Sequence, residues 1–198
     1  MQKSIQKVQI VVGFDLDGVI IDHTANKLAL AQRYSVQLLP EETHSEVLSG
    51  KFSRDEYHAY QDELYGDSPF ALSAPLMDGA FEVLNEMKEQ GVRFVLISRR
   101  GKPENAIALL SACGLWGNIF NEQNVFFVRT PEEKNTISLQ EGVTHFFDDE
   151  RKVLRVIPDV KNRFLFDVFR QFDDEKELER IHDWEMLRRI VLKDHKGA

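Results

Sequence analysis

The sequence has one cysteine in 198 residues, so it cannot form a disulfide within the chain. Cys113 lies in the largely apolar segment from Ile107 to Leu115, where we expect a small buried residue rather than a nucleophile. A chain without disulfides is typical of a reducing compartment, and we therefore expect a cytoplasmic protein.

Long apolar runs are also missing. The first apolar segment, Val8 to Phe14, is interrupted by Gln9 and stopped by Asp15, so it does not resemble the core of a signal peptide. No other stretch approaches the ~20 apolar residues that a membrane span requires. We expect no association with a membrane.

Positive charge is outnumbered, since 25 Lys and Arg stand against 33 Asp and Glu, for a net charge of −8. This balance disfavours broad binding to nucleic acid or to an anionic membrane surface. A small phosphorylated substrate is still compatible with it, because a local pocket can be positive on an acidic protein. The 42% hydrophobic content is enough for one substantial core.

Short apolar runs alternate with segments of helical periodicity along most of the chain. This alternation predicts an α/β fold with a parallel sheet and crossover helices. The helical segments include Gly79 to Gln90 and Pro103 to Leu110. The predicted strands are Val8 to Phe14, Val92 to Ile97, Val125 to Val128, Val143 to Phe147 and Arg163 to Phe166.

One interval, from Asp22 to about Leu76, has helical patterns and no convincing strand. It is too long for an ordinary connection, so it predicts a small helical cap inserted after the first strand. Its helices are expected at Thr24 to Tyr34 and at Ser53 to Tyr65, the second with a capping signal at its start. The predicted domains are a core of residues 1–21 and 77–198 and a cap of residues 22–76.

The tail from Asp173 onward predicts a long charged helix with one apolar stripe. Packing of this stripe against the sheet is the preferred interpretation, and a contact within a homodimer is the alternative. The stripe comprises Leu178, Ile181, Trp184, Leu187 and Val191.

The most informative segment is the apolar run that ends in Asp15, Leu16, Asp17 and Gly18. Carboxylates two residues apart at a strand end project to the same side, and the carboxyl edge of a parallel sheet is where such folds bind ligands. Like charges this close require a cation or a shared proton. A calcium loop that starts at Asp15 is excluded, because its sixth and twelfth positions hold Ile20 and Asn26.

This segment resembles the first motif of the haloacid dehalogenase superfamily, an apolar strand followed by Asp-x-Asp. The resemblance implies a Rossmann-like, doubly wound parallel sheet with Asp15 as the nucleophile and Asp17 as the general acid and base. In that superfamily the dehalogenases and cation-pumping ATPases lack the second Asp, whereas phosphatases and phosphomutases have it. Asp17 therefore indicates phosphate-ester chemistry.

The second motif of the superfamily is a Ser or Thr at the end of the next core strand, and Ser98 fits it. Its hydroxyl and the following backbone N–H groups can donate to phosphate oxygens. Arg99 and Arg100 follow, and one of them can bind the substrate's anion; Arg99 is our candidate, with a solvated surface role equally compatible. Two arginines here depart from the small, polar continuation of many relatives.

The remaining motifs are a Lys and a pair of acids after an apolar strand. Asp148 and Asp149 fit the acids, and the resemblance implies a Mg²⁺ site formed by Asp15, Asp148, the backbone carbonyl of Asp17 and, directly or through water, Asp149. Lys134 is the candidate lysine, with Lys152 as a weaker one. A second acidic run, Asp173 to Glu175, is set aside because it is expected to open the C-terminal helix.

Together these motifs predict a Mg²⁺-dependent phosphomonoester hydrolase. The 14-residue separation of Lys134 and Asp148 resembles the 5′(3′)-deoxyribonucleotidase branch, so a nucleoside monophosphate is the first substrate expected and another small phosphometabolite the second. A phosphomutase or a non-catalytic, metal-holding interaction module are the alternatives. His145, inside a strand, is expected to be structural. His23 is expected to face solvent at the start of a helix, with a contact to substrate at the mouth of the cap as the alternative.

Overall fold

A computed structural model describes residues 9–173 and 175–197. Its centre is a six-stranded sheet in which every neighbouring pair of strands is parallel. The predicted start of the first strand at Val8 lies outside the described residues. The strands are β1 (Val11–Phe14), β2 (Arg93–Ser98), β3 (Val125–Phe127), β4 (His145–Asp148), β5 (Asn162–Phe166) and β6 (Glu179–Ile181).

The strand order is β3-β2-β1-β4-β5-β6, which is the order of a doubly wound, Rossmann-like sheet. The chain winds outward from β1 through β2 to β3, then returns to place β4 on the other side of β1. Ligands bind where the order reverses, outside the carboxyl ends of the strands. Phe14 pairs with both Leu96 and Phe147, so β1, β2 and β4 end within two residues of one another at that edge.

Alternate side chains of β1 pack into apolar clusters on opposite faces of the sheet, because successive residues of a strand point to opposite faces. Val12 and Phe14 belong to one apolar cluster and Val11 to the other. Helices α4 (Ala80–Glu89), α5 (Pro103–Ala112) and α8 (Trp184–Gly197) cover the first face, whereas α6 (Pro131–Glu141) and α7 (Arg151–Arg155) cover the second. The predicted α/β, doubly wound parallel sheet is confirmed.

The interval expected to be a cap contains α1 (Thr24–Arg33), α2 (Ser45–Leu48), α3 (Arg54–Leu64) and three short 3-10 turns. The Ser53 side chain caps α3 and the Glu56 side chain caps the Ser53 N–H in return, as the capping signal indicated. These helices have an apolar cluster of their own around Leu30, Leu48 and Tyr60. The domain limits themselves stay a prediction.

The C-terminal tail differs from the expected long helix. Its first part forms β6, which pairs with β5, and α8 begins only at Trp184. The apolar stripe is nevertheless buried inside the protein: Trp184 packs 5.4 Å from the Phe14 ring centroid, and Leu187 and Val191 belong to the same cluster. The reason for setting aside Asp173 to Glu175 was therefore wrong, since this segment precedes a strand. Among the described residues, none of the helices has the length and apolar character to cross a membrane.

Candidate active site

A cavity of about 570 Å³ lies between the carboxyl edge of the sheet and the cap. Its walls come from the loops after β1, β2 and β4, from α6, and from cap helices α1, α2 and α3. All seven residues predicted for the site line this one cavity, namely Asp15, Asp17, Ser98, Arg99, Lys134, Asp148 and Asp149. Their chemical roles stay predictions.

Lys134 lies between two of the predicted carboxylates. Its Nζ donates to Asp15 Oδ1 at 2.6 Å and to Asp148 Oδ2 at 2.7 Å, and the side chain is 1% exposed. The Thr130 hydroxyl caps α6 and fixes the first turn of the helix, which carries Lys134. Burial alone would lower the pKa of Lys134, but the charges of Asp148 and Asp15 outweigh it and hold the pKa above its usual range.

Asp15, Asp148 and Asp149 form a compact group of buried acids. Each offers one carboxylate oxygen, and the three oxygens lie within 4.8 Å of one another. Burial, with the charges of the neighbouring acids, raises the pKa of Asp15 to about 7 even though Lys134 opposes the shift. Burial and neighbouring acids also hold the pKa of Asp149 well above its usual range.

This crowding is the arrangement that a divalent cation relieves. Hard carboxylate oxygens converging on one point suit Mg²⁺, which binds through a few such ligands and keeps several waters. Asp15 follows β1 directly and its backbone N–H donates to the Phe147 carbonyl at 2.9 Å, so the strands themselves set the spacing of the group. The residues present therefore fit a magnesium ion.

Gly18 allows the loop after β1 to pass close to this group. Its φ of +84° lies in the left-handed region that favours glycine. A Cβ at this position would lie 2.5 Å from Asp149 Oδ2, closer than any real contact. The glycine is therefore required both by the turn and by the carboxylate beside it.

The side chain of Asp17 is held by two basic residues, Arg100 and His23. Arg100 donates from Nε to Asp17 Oδ2 at 2.9 Å and from Nη2 to Oδ1 at 2.6 Å, while His23 Nε2 lies 2.7 Å from Oδ1. Burial favours the neutral acid, but the charge and hydrogen bonds of Arg100, with the hydrogen bond from His23, bring the pKa of Asp17 below its usual range. Arg100 Nη2 also lies 3.1 Å from His23 Nε2, so Asp17, His23 and Arg100 form one buried polar network.

His23 and Arg100 both lie deeper in the site than their sequence context predicts. His23 is buried at 2% exposure instead of facing solvent, so that expectation was wrong. Arg100 is also buried, and its guanidinium lies 4.8 Å from the ring centroid of Tyr65. The position of Arg100 two residues after Ser98 was a usable signal, whereas nothing in the local sequence linked His23 to Asp17.

The predicted phosphate-binding residues occupy two depths. Ser98 ends β2 with 1% exposure, and its Oγ accepts from the Arg100 N–H at 3.3 Å. Arg99 lies further out, where its guanidinium forms an ion pair with Glu150. Lys152, the weaker lysine candidate, is also paired with Glu150 and leaves the central position to Lys134.

One face of α3 forms the outer wall of the cavity. Tyr57 and Gln61 are one helical turn apart, and Tyr65 follows directly after the helix. Asn105 Nδ2 donates to the Tyr65 carbonyl at 3.1 Å and joins this wall to α5. The wall combines aromatic and amide side chains with one acid, Asp62, whereas most residues of the floor are charged.

Other residues considered in the sequence lie outside the cavity. His145 is buried in β4 and stacks on Phe164, in keeping with a structural residue. Cys113 is half-buried and its thiol contacts the Ala74 carbonyl. Glu175 pairs with Arg155 on the surface.

No family model matches the sequence, and no curated relative was found. Solved structures do share the fold. Over 96% of its length the chain aligns with a haloacid dehalogenase (HAD) family hydrolase from Deinococcus radiodurans R1 with bound phosphate and sodium, at 15% identity, TM-score 0.64 and 97% coverage of that chain. A HAD hydrolase from Bacillus subtilis described as bound to magnesium aligns over 94% of this chain and 100% of its own, at 16% identity and TM-score 0.61.

A proposed β-phosphoglucomutase from Thermotoga maritima is a further match, with 14% identity, TM-score 0.58, and coverage of 93% of this chain and 99% of the other. At these identities the likeness establishes the architecture. The protein therefore has a haloacid dehalogenase-like fold, with a buried carboxylate cluster at the sheet edge.

Proposed function

We propose that the protein is a Mg²⁺-dependent phosphomonoester hydrolase that passes through an aspartyl-phosphate on Asp15. The observation that supports this most is the position of Asp15. It stands at the topological switch point with Lys134 on one of its oxygens and the acids Asp148 and Asp149 beside it. A nucleophile, a fixed cation and a metal-ligand set thus meet at one point.

In the first step an oxygen of Asp15 attacks phosphorus and the bond from phosphorus to the ester oxygen breaks. The ester oxygen, now on the leaving group, takes a proton from Asp17. In the second step a water molecule attacks the phosphoryl group, Asp17 takes its proton, and Asp15 is released as a carboxylate. Lys134, Ser98 and Arg99 hold the phosphoryl oxygens. When bound, Mg²⁺ supplies positive charge against the oxygens that become more negative in the transition state.

The ion pair with Arg100 favours the ionised form of Asp17, which the second step requires because Asp17 then accepts a proton. The first step requires Asp17 to carry one. We propose that the negative charge of the bound phosphate favours the protonated form of Asp17, while Arg100 keeps the carboxyl group in place.

Charge in the cavity supports a substrate with one phosphate and an uncharged leaving group. Seven acids and six Lys or Arg residues line the cavity, for a net charge of −1. One bound Mg²⁺ would change this to +1, which suits a single phosphoryl dianion better than two. The outer wall offers an aromatic ring, Tyr57, and an amide, Gln61, which suit a planar group with hydrogen-bonding edges. A nucleoside monophosphate meets these conditions, and so, less fully, does a sugar phosphate.

A phosphomutase is the second candidate, since a solved structure of this fold is described as one. A mutase that works through a phosphorylated aspartate passes through a sugar with two phosphates. The charge balance of this cavity favours one phosphate over two. We also expect the protein to act in the cytoplasm, on a small metabolite and without nucleic acid or membrane partners.

The test is hydrolysis of an aryl phosphate with Mg²⁺ and with a chelator, followed by a panel of nucleoside monophosphates and sugar phosphates. We expect Mg²⁺-dependent release of free phosphate, highest with a nucleoside monophosphate, and no turnover by a folded Asp15→Asn variant. Formation of an isomeric phosphate ester without free phosphate would instead identify a mutase. Metal binding without turnover of any of these esters would favour the interaction module.

A further inference from the structure

Residues 44–46 of the cap lie against residues 149–151 of the core, directly after β4. Each cap residue contacts the core residue 105 positions further along the chain, in the same order. We call these six residues the cap–core clasp. Its contacts are His44 Nε2 to the Asp149 carbonyl at 2.7 Å, Ser45 Oγ to Glu150 Oε1 at 2.8 Å, and Arg151 Nη2 to Glu46 Oε2 at 2.6 Å.

His44 binds the backbone of a residue whose side chain belongs to the acidic group. Its Nδ1 accepts from the Glu46 N–H at 3.2 Å, so Nε2 carries the hydrogen and donates to the Asp149 carbonyl. The ring packs against Phe172 with 4.7 Å between centroids. His44 is thus held in one orientation, and it fixes the peptide that follows Asp149.

Glu46 and Arg151 form the outer contact of the clasp. Glu46 accepts from the backbone N–H of Arg151 at 3.2 Å as well as from its guanidinium. The guanidinium stacks 4.1 Å from the centroid of Phe172 and lies 3.6 Å from Glu175. Several groups with different chemistry therefore hold Arg151 in place.

A hydrogen bond inside the cap also holds the start of residues 44–46 in place. Lys27, on α1, is buried, and its Nζ donates to the carbonyl of Thr43 at 2.9 Å. Thr43 directly precedes His44. The cap follows the loop that carries Asp15, and residues 149–151 follow β4, which carries Asp148. The clasp therefore links the two chain segments that come after these acids.

We infer that the clasp is a positioning device for the metal site, which makes divalent metal binding and docking of the cap favour each other. This inference rests on the proposed function, because it places the metal at Asp15, Asp148 and Asp149. Groups that hold metal ligands in place commonly change metal affinity by about 10–100-fold when they are removed. Coupling of this kind is reciprocal, so metal must also stabilise the docked cap.

Arg151→Gln separates positioning from simple electrostatics. The substitution removes a positive charge near the site, which by charge alone would tighten Mg²⁺ binding. Loss of the clasp would weaken it. We expect the Kd for Mg²⁺ to rise at least about threefold.

Two further variants provide a second test and a control. Ser45→Ala removes one hydrogen bond and no charge, and we expect about a twofold rise in the Kd. Glu42→Gln is the matched control: Glu42 is a cap acid whose ion pair with Lys51 stays inside the cap, at 2.5 Å. We expect its Kd to stay within about 1.5-fold of the wild type, since surface ion pairs contribute little.

The measurements are calorimetric titration of the full chain with MgCl₂ and amide hydrogen exchange of residues 44–50 with and without Mg²⁺. In the wild type, Mg²⁺ should slow exchange in this segment, and in Arg151→Gln this protection should be lost. If the wild type binds Mg²⁺ while Arg151→Gln and Ser45→Ala bind it equally or more tightly, with exchange still slowed, this inference is wrong and the proposed function stands. If the wild type binds no divalent ion, both are overturned.

Discussion

Arg100 holds Asp17 through two hydrogen bonds, from Nε to Oδ2 at 2.9 Å and from Nη2 to Oδ1 at 2.6 Å. Both oxygens of the carboxylate proposed as acid and base are thereby engaged. The flat guanidinium fork matches a carboxylate in a way that lysine cannot. Arg100 therefore fixes the orientation of the Asp17 carboxylate, from which we propose that Asp17 reaches the ester oxygen.

Replacing this arginine should affect esters according to their leaving group. In Arg100→Gln we expect turnover of a nucleoside monophosphate to fall about 100-fold, because a poor leaving group depends on a well-placed proton donor. An activated aryl phosphate needs little protonation, and its turnover should fall less than about fivefold. Rates for a series of leaving groups give the comparison.

Arg155→Gln is the control for this series, since Arg155 pairs with Glu175 on the surface, away from the cavity. It should leave both rates unchanged. An equal loss on both kinds of ester in Arg100→Gln would show that Arg100 acts on the phosphoryl group or the fold rather than on Asp17.

Gly18→Ala should damage the metal site. The new Cβ would have to displace Asp149 Oδ2, from which it is 2.5 Å away. We expect the Kd for Mg²⁺ to rise at least about tenfold, with a loss of unfolding free energy of about 1–3 kcal/mol from the positive φ. Calorimetry and urea unfolding measure the two effects.

Gly91→Ala is the control that separates backbone strain at a positive φ from displacement of the Asp149 carboxylate. Gly91 has a φ of +72°, but its Cβ would meet no heavy atom within 4 Å. It should lose a similar amount of stability and keep its Mg²⁺ affinity. A normal Kd in Gly18→Ala would mean that Asp149 is not a ligand.

Lys134→Met tests whether the central ammonium is needed for folding as well as for activity. The substitution leaves Asp15 and Asp148 buried without their shared donor. We expect a loss of about 3–5 kcal/mol of unfolding free energy in the presence of a chelator, the usual cost of breaking a buried ion pair. Lys51→Met, at an exposed pair with Glu42, should lose less than about 1 kcal/mol. Equal losses would show that the buried pairs contribute no more than surface ones.

The sequence predicted the parts of the molecule that carry local signals. Asp15 and Asp148 each directly follow or end an apolar strand, so chain order and strand geometry were enough to bring them together. The three-residue strand β6 was missed because Leu178, Ile181 and Trp184 have the spacing of a helix, and only pairing with β5 reveals the strand.

Contacts between distant segments left no such signal. The approach of Arg100 to Asp17 joins residues 83 positions apart, and the clasp joins residues 105 positions apart. Both depend on how the cap and the loops fold over the sheet edge. Periodicity along the chain reports which face of an element is buried, but it does not report which polar side chain a second element brings to that face.

Cys113 gives a prediction about pH. Burial raises the pKa of its thiol above the usual value, and its Sγ donates to the Ala74 carbonyl. A raised pKa means less thiolate at pH 8 than in an exposed cysteine, so labelling with dithiobis(nitrobenzoate) should be slower than for a small thiol of ordinary pKa. The labelling rate should continue to rise with pH above 9, because the thiolate fraction is still increasing there. Cys113→Ala should keep the proposed hydrolase activity in full, since Cys113 does not line the cavity. Rapid labelling at pH 7 together with loss of activity in the alanine variant would instead identify Cys113 as a functional thiol.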